Sequence, residues 1–149
     1  MYNPSAIANY FLHNHGEDPN LTPMKLIKLV YIAHGWHLAI RNKPLLNEPP
    51  QAWKFGPVIP SLYYRFKRFK DSRIQNENTN ELPNADLFPF LEKIWNVYGN
   101  YNGVQLSSKT HQPNTPWSIT WKKATENTFI PSLDIPDELI KSHYQQLLS

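Results

Sequence analysis

The stretch PMKLIKLVYIAHGWHLAIR, residues 23–41, sets the fold. Thr22 precedes it as an N-cap whose hydroxyl can accept an orphan amide, and Pro23 fills the first helical position, where no amide is needed. The run therefore predicts a helix from Pro23 to about Arg41. At about 100° per residue, Leu26, Leu29, Ala33, Trp36 and Ile40 form one apolar stripe, and Ile27, Tyr31 and Leu38 form a second on another side. A helix apolar on two sides needs cover on both, so this one is expected at the centre of the domain. Gly35 in its interior costs about 1 kcal/mol relative to alanine. It predicts a point where another backbone approaches closely.

Working outward, the same opening of a polar cap followed by proline recurs at Asn3-Pro4 and Thr115-Pro116. Upstream it predicts a helix from Pro4 to about His13, stopped at Gly16. Downstream, Pro44, Pro49, Pro50 and Pro57 forbid a continuous helix, so Asn42 to Pro60 reads as a loop. Within it lies one short extended piece, Gln51 to Phe55, turning at Gly56-Pro57. A third helix is expected over about Pro60 to Lys70, with Leu62, Phe66 and Phe69 inward. Asp71 to Ala85 is polar and Asn-rich, and reads as a flexible loop. Further helices are expected over Leu87–Tyr101, Gly103–Thr110, Pro116–Thr125 and Pro136–Leu148, the last with Ile140, Tyr144 and Leu147 inward. FIPSLDI, residues 129–135, is expected to add a short strand. The fold class is mainly α: a single domain spanning residues 1–149, with six to seven helices, a central buried helix and a minor short β element.

The 149 residues suit one domain that buries its core without staples. There is no cysteine, which removes disulfides, thiolate catalysis and cysteine-type zinc sites and fits a reducing compartment. The N-terminus lacks the basic and apolar regions of a signal peptide, and no run of about 18 apolar residues exists. A soluble, cytoplasmic protein is expected. Only 5 glycines stand against 14 prolines, which argues against glycine-rich phosphate loops.

A search for chemistry finds little that converges. Ser107 and Ser108 lie near His111, but no acid nearby in sequence would orient the base. His34 and His37 share a face of the central helix and invite a metal. No HExxH or ExxH pattern accompanies them, and Arg41 beside them disfavours a cation. Their plainer reading is hydrogen bonding to loop carbonyls. An enzyme or metal site using His34, His37 or His111 stays as an alternative, but no catalytic residue, cofactor or metal is assigned. The run YYRFKRFKDSR mixes cations with aromatics in the manner of nucleic-acid grips. Phe66 and Phe69 are needed for the core, however, and a net charge of +3 is modest for such a role. Nucleic acid is not the expected partner. Protein binding is: Tyr63, Tyr64, Arg65 and Arg68 are residue types that dominate interfaces. Trp53 and Phe55 could join them or plug the core beneath the loop, and burial tendencies favour the core for Trp53.

Three blocks in order go further. They are KLxKLxYxAxGWxL at Lys25–Leu38, then AWxxGPVxPxxY from Ala52 to Tyr63 or Tyr64 after Pro44-Leu45, and LSxxTH at Leu106–His111 followed by Pro116-Trp117. Together they resemble the Panacea domain family, which includes SocA-like antitoxins and phage-associated GepA-like proteins. The likeness runs over about Pro4 to Leu147. It implies an antitoxin that neutralises a cognate toxin, encoded beside it, by direct protein–protein binding. One branch of the family instead acts as a proteolytic adaptor that delivers its toxin to a protease. The family has no catalytic residues to carry over, so no enzymatic activity is expected. Its motif positions here are Lys28, Tyr31, Gly35, Trp36, Trp53, Gly56, Pro57, Thr110, His111 and Trp117. They are read as structural, with Tyr63, Tyr64, Arg65 and Arg68 available to the partner.

Overall fold

The computed structural model describes residues 1–126 and 133–148. The central helix α2 runs Pro23–Arg41, as the capping residues predict: Thr22 Oγ1 accepts the Lys25 amide, and Asn42 ends it in the left-handed region at φ 58°. Every residue from Lys25 to Gly35 is buried. Both apolar stripes are therefore covered, though Ile40 lies beyond the covered length and is exposed.

Around this axis pack α1 (Pro4–His15), α3 (Pro60–Phe66), α4 (Phe88–Tyr98), α5 (Gly103–Thr110) and α7 (Asp137–Leu148). A further helix, α6 (Pro116–Glu126), lies against α7 and the β element. Local chemistry explains the boundaries. Asn3 Oδ1 caps α1 through the Ser5 amide. Asn102 and Gln105 form a reciprocal capping box on α5. The Ser118 amide donates to Thr115 Oγ1 at the head of α6. The third helix is shorter than its sequence predicts. After Phe66 it tightens into a 3-10 turn, Lys67–Phe69, and stops at Lys70, whose φ is 54°.

The β element is an antiparallel hairpin, β1 (Gln51–Trp53) with β2 (Gly56–Val58), paired Gln51 to Val58, Ala52 to Pro57 and Trp53 to Gly56. Residues 129–132 of the expected later strand lie outside the described residues. Its described end does pair: Ala52 donates to the Leu133 carbonyl and Ile135 to the Pro50 carbonyl, bridging Gln51 with Asp134.

Asp71 to Asn84 has no helix or strand. It is nonetheless tied to the body. Ile74 is buried with its amide on the Leu21 carbonyl, and Arg73 Nε donates to the Gly16 carbonyl. Asn9 Nδ2 donates to the Glu81 carbonyl. Among the described residues, no helix is long and apolar enough to cross a membrane.

Two expectations need correcting. Leu147 is more than half exposed, because Tyr144, one turn earlier, is the last α7 side chain to reach the core. The close approach at Gly35 comes from a side chain rather than a backbone. A Cβ built there would sit 2.2 Å from Tyr144 Cε2. That ring is itself buried and cannot swing away. Overpacking of this kind costs roughly 1–3 kcal/mol, more than the roughly 1 kcal/mol of helix propensity that alanine would return. Gly35→Ala should therefore lower unfolding free energy in urea, and pairing it with Tyr144→Leu should recover part of the loss. A Gly35→Ala protein as stable as wild type would contradict this packing.

Candidate functional site

The three sequence blocks converge on the hairpin. Each of three elements holds one of its carbonyls. From α2, Lys28 Nζ donates to the Pro57 carbonyl at 2.6 Å. From α5, Ser107 Oγ donates to the Phe55 carbonyl at 2.9 Å. From α6, Trp117 Nε1 donates to the Trp53 carbonyl at 2.6 Å. Gly56 sits between them with φ 120°, which only glycine adopts without strain, and a Cβ there would come within 3.1 Å of Lys28 Nζ. His111 packs edge-on against Trp117 and turns its Nδ1 to the Ser107 carbonyl, closing α5. Thr110 Oγ1 donates to the Leu106 carbonyl inside the same helix.

The remaining motif residues build the frame behind the clamp. Tyr31 is buried, and burial pushes its phenol well above the usual range. Trp36 Nε1 donates to the Tyr98 hydroxyl, and its ring meets Tyr144 edge-on beside Gly35. The histidines are likewise committed. His34 Nδ1 accepts the Leu45 and Leu46 amides, which places the ring proton on Nε2, facing Asp137 Oδ1 at 2.9 Å. His34 thus serves amides rather than the carbonyl its sequence suggested. His37 Nδ1 does take a carbonyl, that of Lys43 at 2.6 Å. Burial lowers its pKa, opposed by that bond and aided by the nearby Arg41 charge. His34 and His37 do not meet His111, which lies at the hairpin. Among the described residues, no group of three or more His, Asp or Glu side chains is placed to hold a metal ion.

The tip itself is left open. Phe55 is 70% exposed, so it does not plug the core, while Trp53 is half-buried. The core position beneath the loop is filled instead by Ala52 and Ile59. Trp53 leans edge-on against Tyr63 and Tyr64 on α3, with centroids 5.1 and 6.5 Å away. Tyr64 is 61% exposed. The two arginines of this face are not free. Glu77, from the Asn-rich segment, binds Arg65 Nε at 3.3 Å and Arg68 Nη2 at 2.5 Å. That pairing was hidden in the sequence, because an acid amid asparagines carries no local sign of its partner. Sequence reasoning also passed over Lys54 and Met24, which flank the tip, and read Ser107 only as a failed nucleophile.

Lys28 offers a direct probe of the clamp. Burial lowers its pKa to about 7 in the folded protein, against about 10.4 in an unfolded chain. Between those values the unfolded chain binds more protons, so this group makes stability rise with pH. Relative to Lys28→Met, the wild type should gain on the order of 2 kcal/mol between pH 7 and pH 9. Denaturant unfolding of both proteins at the two pH values measures it, and parallel pH profiles would refute it.

The comparisons with known proteins agree with this convergence. The family model described as "Antitoxin SocA-like, Panacea domain" matches residues 26–118, which hold the clamp from Lys28 to Trp117. A curated relative, Antitoxin SocA of Caulobacter vibrioides (strain NA1000 / CB15N), is 28% identical over an alignment of 153 positions. The alignment covers 94% of this chain and 81% of that protein. No solved structure matches. With its motif residues gathered on one hairpin and the family model spanning well over half its length, the chain belongs to the SocA-like Panacea domain family.

Proposed function

We propose that this protein is an antitoxin that neutralises a cognate toxin by binding it directly, in the cytoplasm and without catalysis. The observation that carries the reading is the family match, joined to likeness over 94% of the chain to a protein named as an antitoxin. The disposition of the polar groups supports binding over chemistry. Lys28, Ser107, His34, His37 and His111 each hold backbone groups of the fold. The scaffold is thereby spent on presenting a surface. That surface is the hairpin tip with the outer face of α3, where Phe55, Tyr63 and Tyr64 are exposed. Arg65 and Arg68, held by Glu77, would shape its edge, and Tyr64 would be a direct contact.

The test is rescue. Each reading frame flanking the gene is induced in a bacterial host with and without this protein, and growth is scored. One neighbour should arrest growth, and co-expression should restore it. The rescued toxin should persist, bound, in cells lacking ATP-dependent proteases. A toxin that vanishes only when a protease is present would mark an adaptor instead, and would overturn direct neutralisation. Within the complex, Tyr64→Ala should weaken binding about tenfold or more, as central interface aromatics do, with an unchanged melting temperature.

A further inference from the structure

Beside the hairpin tip lies a groove of about 470 Å3 between β1, the first turns of α2 and the end of α3. Its floor is apolar, from Met24, Ile27 and Val58, and Trp53, Phe55 and Tyr63 wall one side. Its charge is of one sign only. Lys54, Lys67 and Lys70 line it and Lys28 reaches it from below, and no acidic side chain is among the lining residues. No ion pair is formed by these four lysines among the described residues. Lys28 is buried, and among the described residues its ammonium has a single acceptor, the Pro57 carbonyl.

Two details indicate that the groove is built rather than incidental. Lys70 lines it from a backbone of φ 54° and ψ −119°, a strained region that residues with a side chain rarely occupy. Beyond Met24 and Lys70 the groove runs on into a second depression, where Val104 is exposed at the head of α5. The two depressions share Met24 and Lys70 as lining residues. Asp71 borders that far end, so the demand for negative charge lies at the hairpin.

We propose that this groove receives an extended segment of the partner toxin in which a large apolar side chain is flanked by carboxylates. The apolar side chain would lie on Met24, Ile27 and Val58, and the carboxylates would meet Lys54 and Lys67. This rests on the antitoxin reading above. A nucleic acid fits less well. The most exposed rings have ammonium groups over them, Lys54 above Phe55 and Lys67 above Tyr64, while Trp53, Tyr63 and Tyr64 meet one another edge-on. A base stacking on these rings would compete with those contacts. The arginines that would grip phosphates are engaged by Glu77 on α3's other flank.

The experiment uses the full chain and the toxin whose growth arrest it relieves. Lys54→Glu combined with Lys67→Glu is compared with Lys122→Glu combined with Lys123→Glu, an equal change of charge on exposed positions of α6. Like charges across an interface cost several kcal/mol, so the groove variant should bind about 100-fold or more weakly at an unchanged melting temperature. The α6 variant should stay within about threefold of wild type. A photo-crosslinking benzoylphenylalanine at position 55 should map to a toxin peptide that carries carboxylates around an apolar residue. If wild type rescues growth but the groove variant binds as tightly, the groove assignment fails while the antitoxin reading stands. A crosslink to nucleic acid or to a second copy of this chain would likewise overturn it. If no neighbouring product is toxic, the antitoxin reading fails and this assignment falls with it.

Discussion

A helix enclosed on every side cannot send its polar side chains to water, and α2 carries four that are buried: Lys25, Lys28, His34 and His37. Leaving such groups unpaired costs several kcal/mol each. The fold resolves this by bringing a different backbone segment to each. Lys25 Nζ donates to the Gly99 carbonyl between α4 and α5, with Asp18 at 3.0 Å beside it. Lys28 takes the hairpin. His34 takes the amides of Leu45 and Leu46, and His37 takes the Lys43 carbonyl. The demand for partners along one helix thus fixes the loops that surround it. Burial of the apolar stripes drives assembly but is indifferent to loop conformation, whereas these bonds are not.

The lysines show why the arrangement is about placement more than stability. A well-packed apolar side chain at position 28 would avoid the desolvation that drags the ammonium's pKa down to about 7. It would also accept many positions of the hairpin. The ammonium accepts few, because it is satisfied only where the Pro57 carbonyl arrives. Gly56 permits that arrival by leaving the space a Cβ would fill. The same logic explains Gly35, where the missing Cβ leaves the space that the Tyr144 ring of α7 fills.

Local rules carried the sequence reading a long way. The start of α2 followed from Thr22 and Pro23 and its end from the prolines that begin at Pro44, since caps and proline act within one turn. The turn expected at Gly56-Pro57 falls instead at Lys54-Phe55, and Gly56 and Pro57 open the second strand, because glycine and proline mark a break in a helix without saying on which side of the bend they lie. Errors arose where an outcome depended on where a neighbouring element ended. Ile40 and Leu147 continue correct periodicities but lie past the cover that buries their predecessors. Glu77 binding Arg65 and Arg68, and Leu133 to Ile135 pairing with the hairpin's first strand, join segments far apart in sequence, and neither carries a compositional mark. The motif residues were legible as a set, but their shared task was not. What Lys28, Ser107 and Trp117 have in common is a hairpin carbonyl, and no spacing records that.

The choice of carbonyls has a consequence for the hairpin tip. The clamp grips the main chain at Trp53, Phe55 and Pro57 and makes no demand on the side chains of the tip. Lys54 and Phe55 are exposed, and the contacts they make, an ammonium over its neighbouring ring, lie outside the core. Surface positions of this kind usually change stability by less than about 0.5 kcal/mol when substituted. The hairpin is therefore rigid in backbone and unconstrained in side chain. A scaffold of that type can hold a fixed loop geometry while the residues at its tip are fitted to one partner or another. The invariance needed for folding and the freedom needed for recognition fall on different atoms of the same residues.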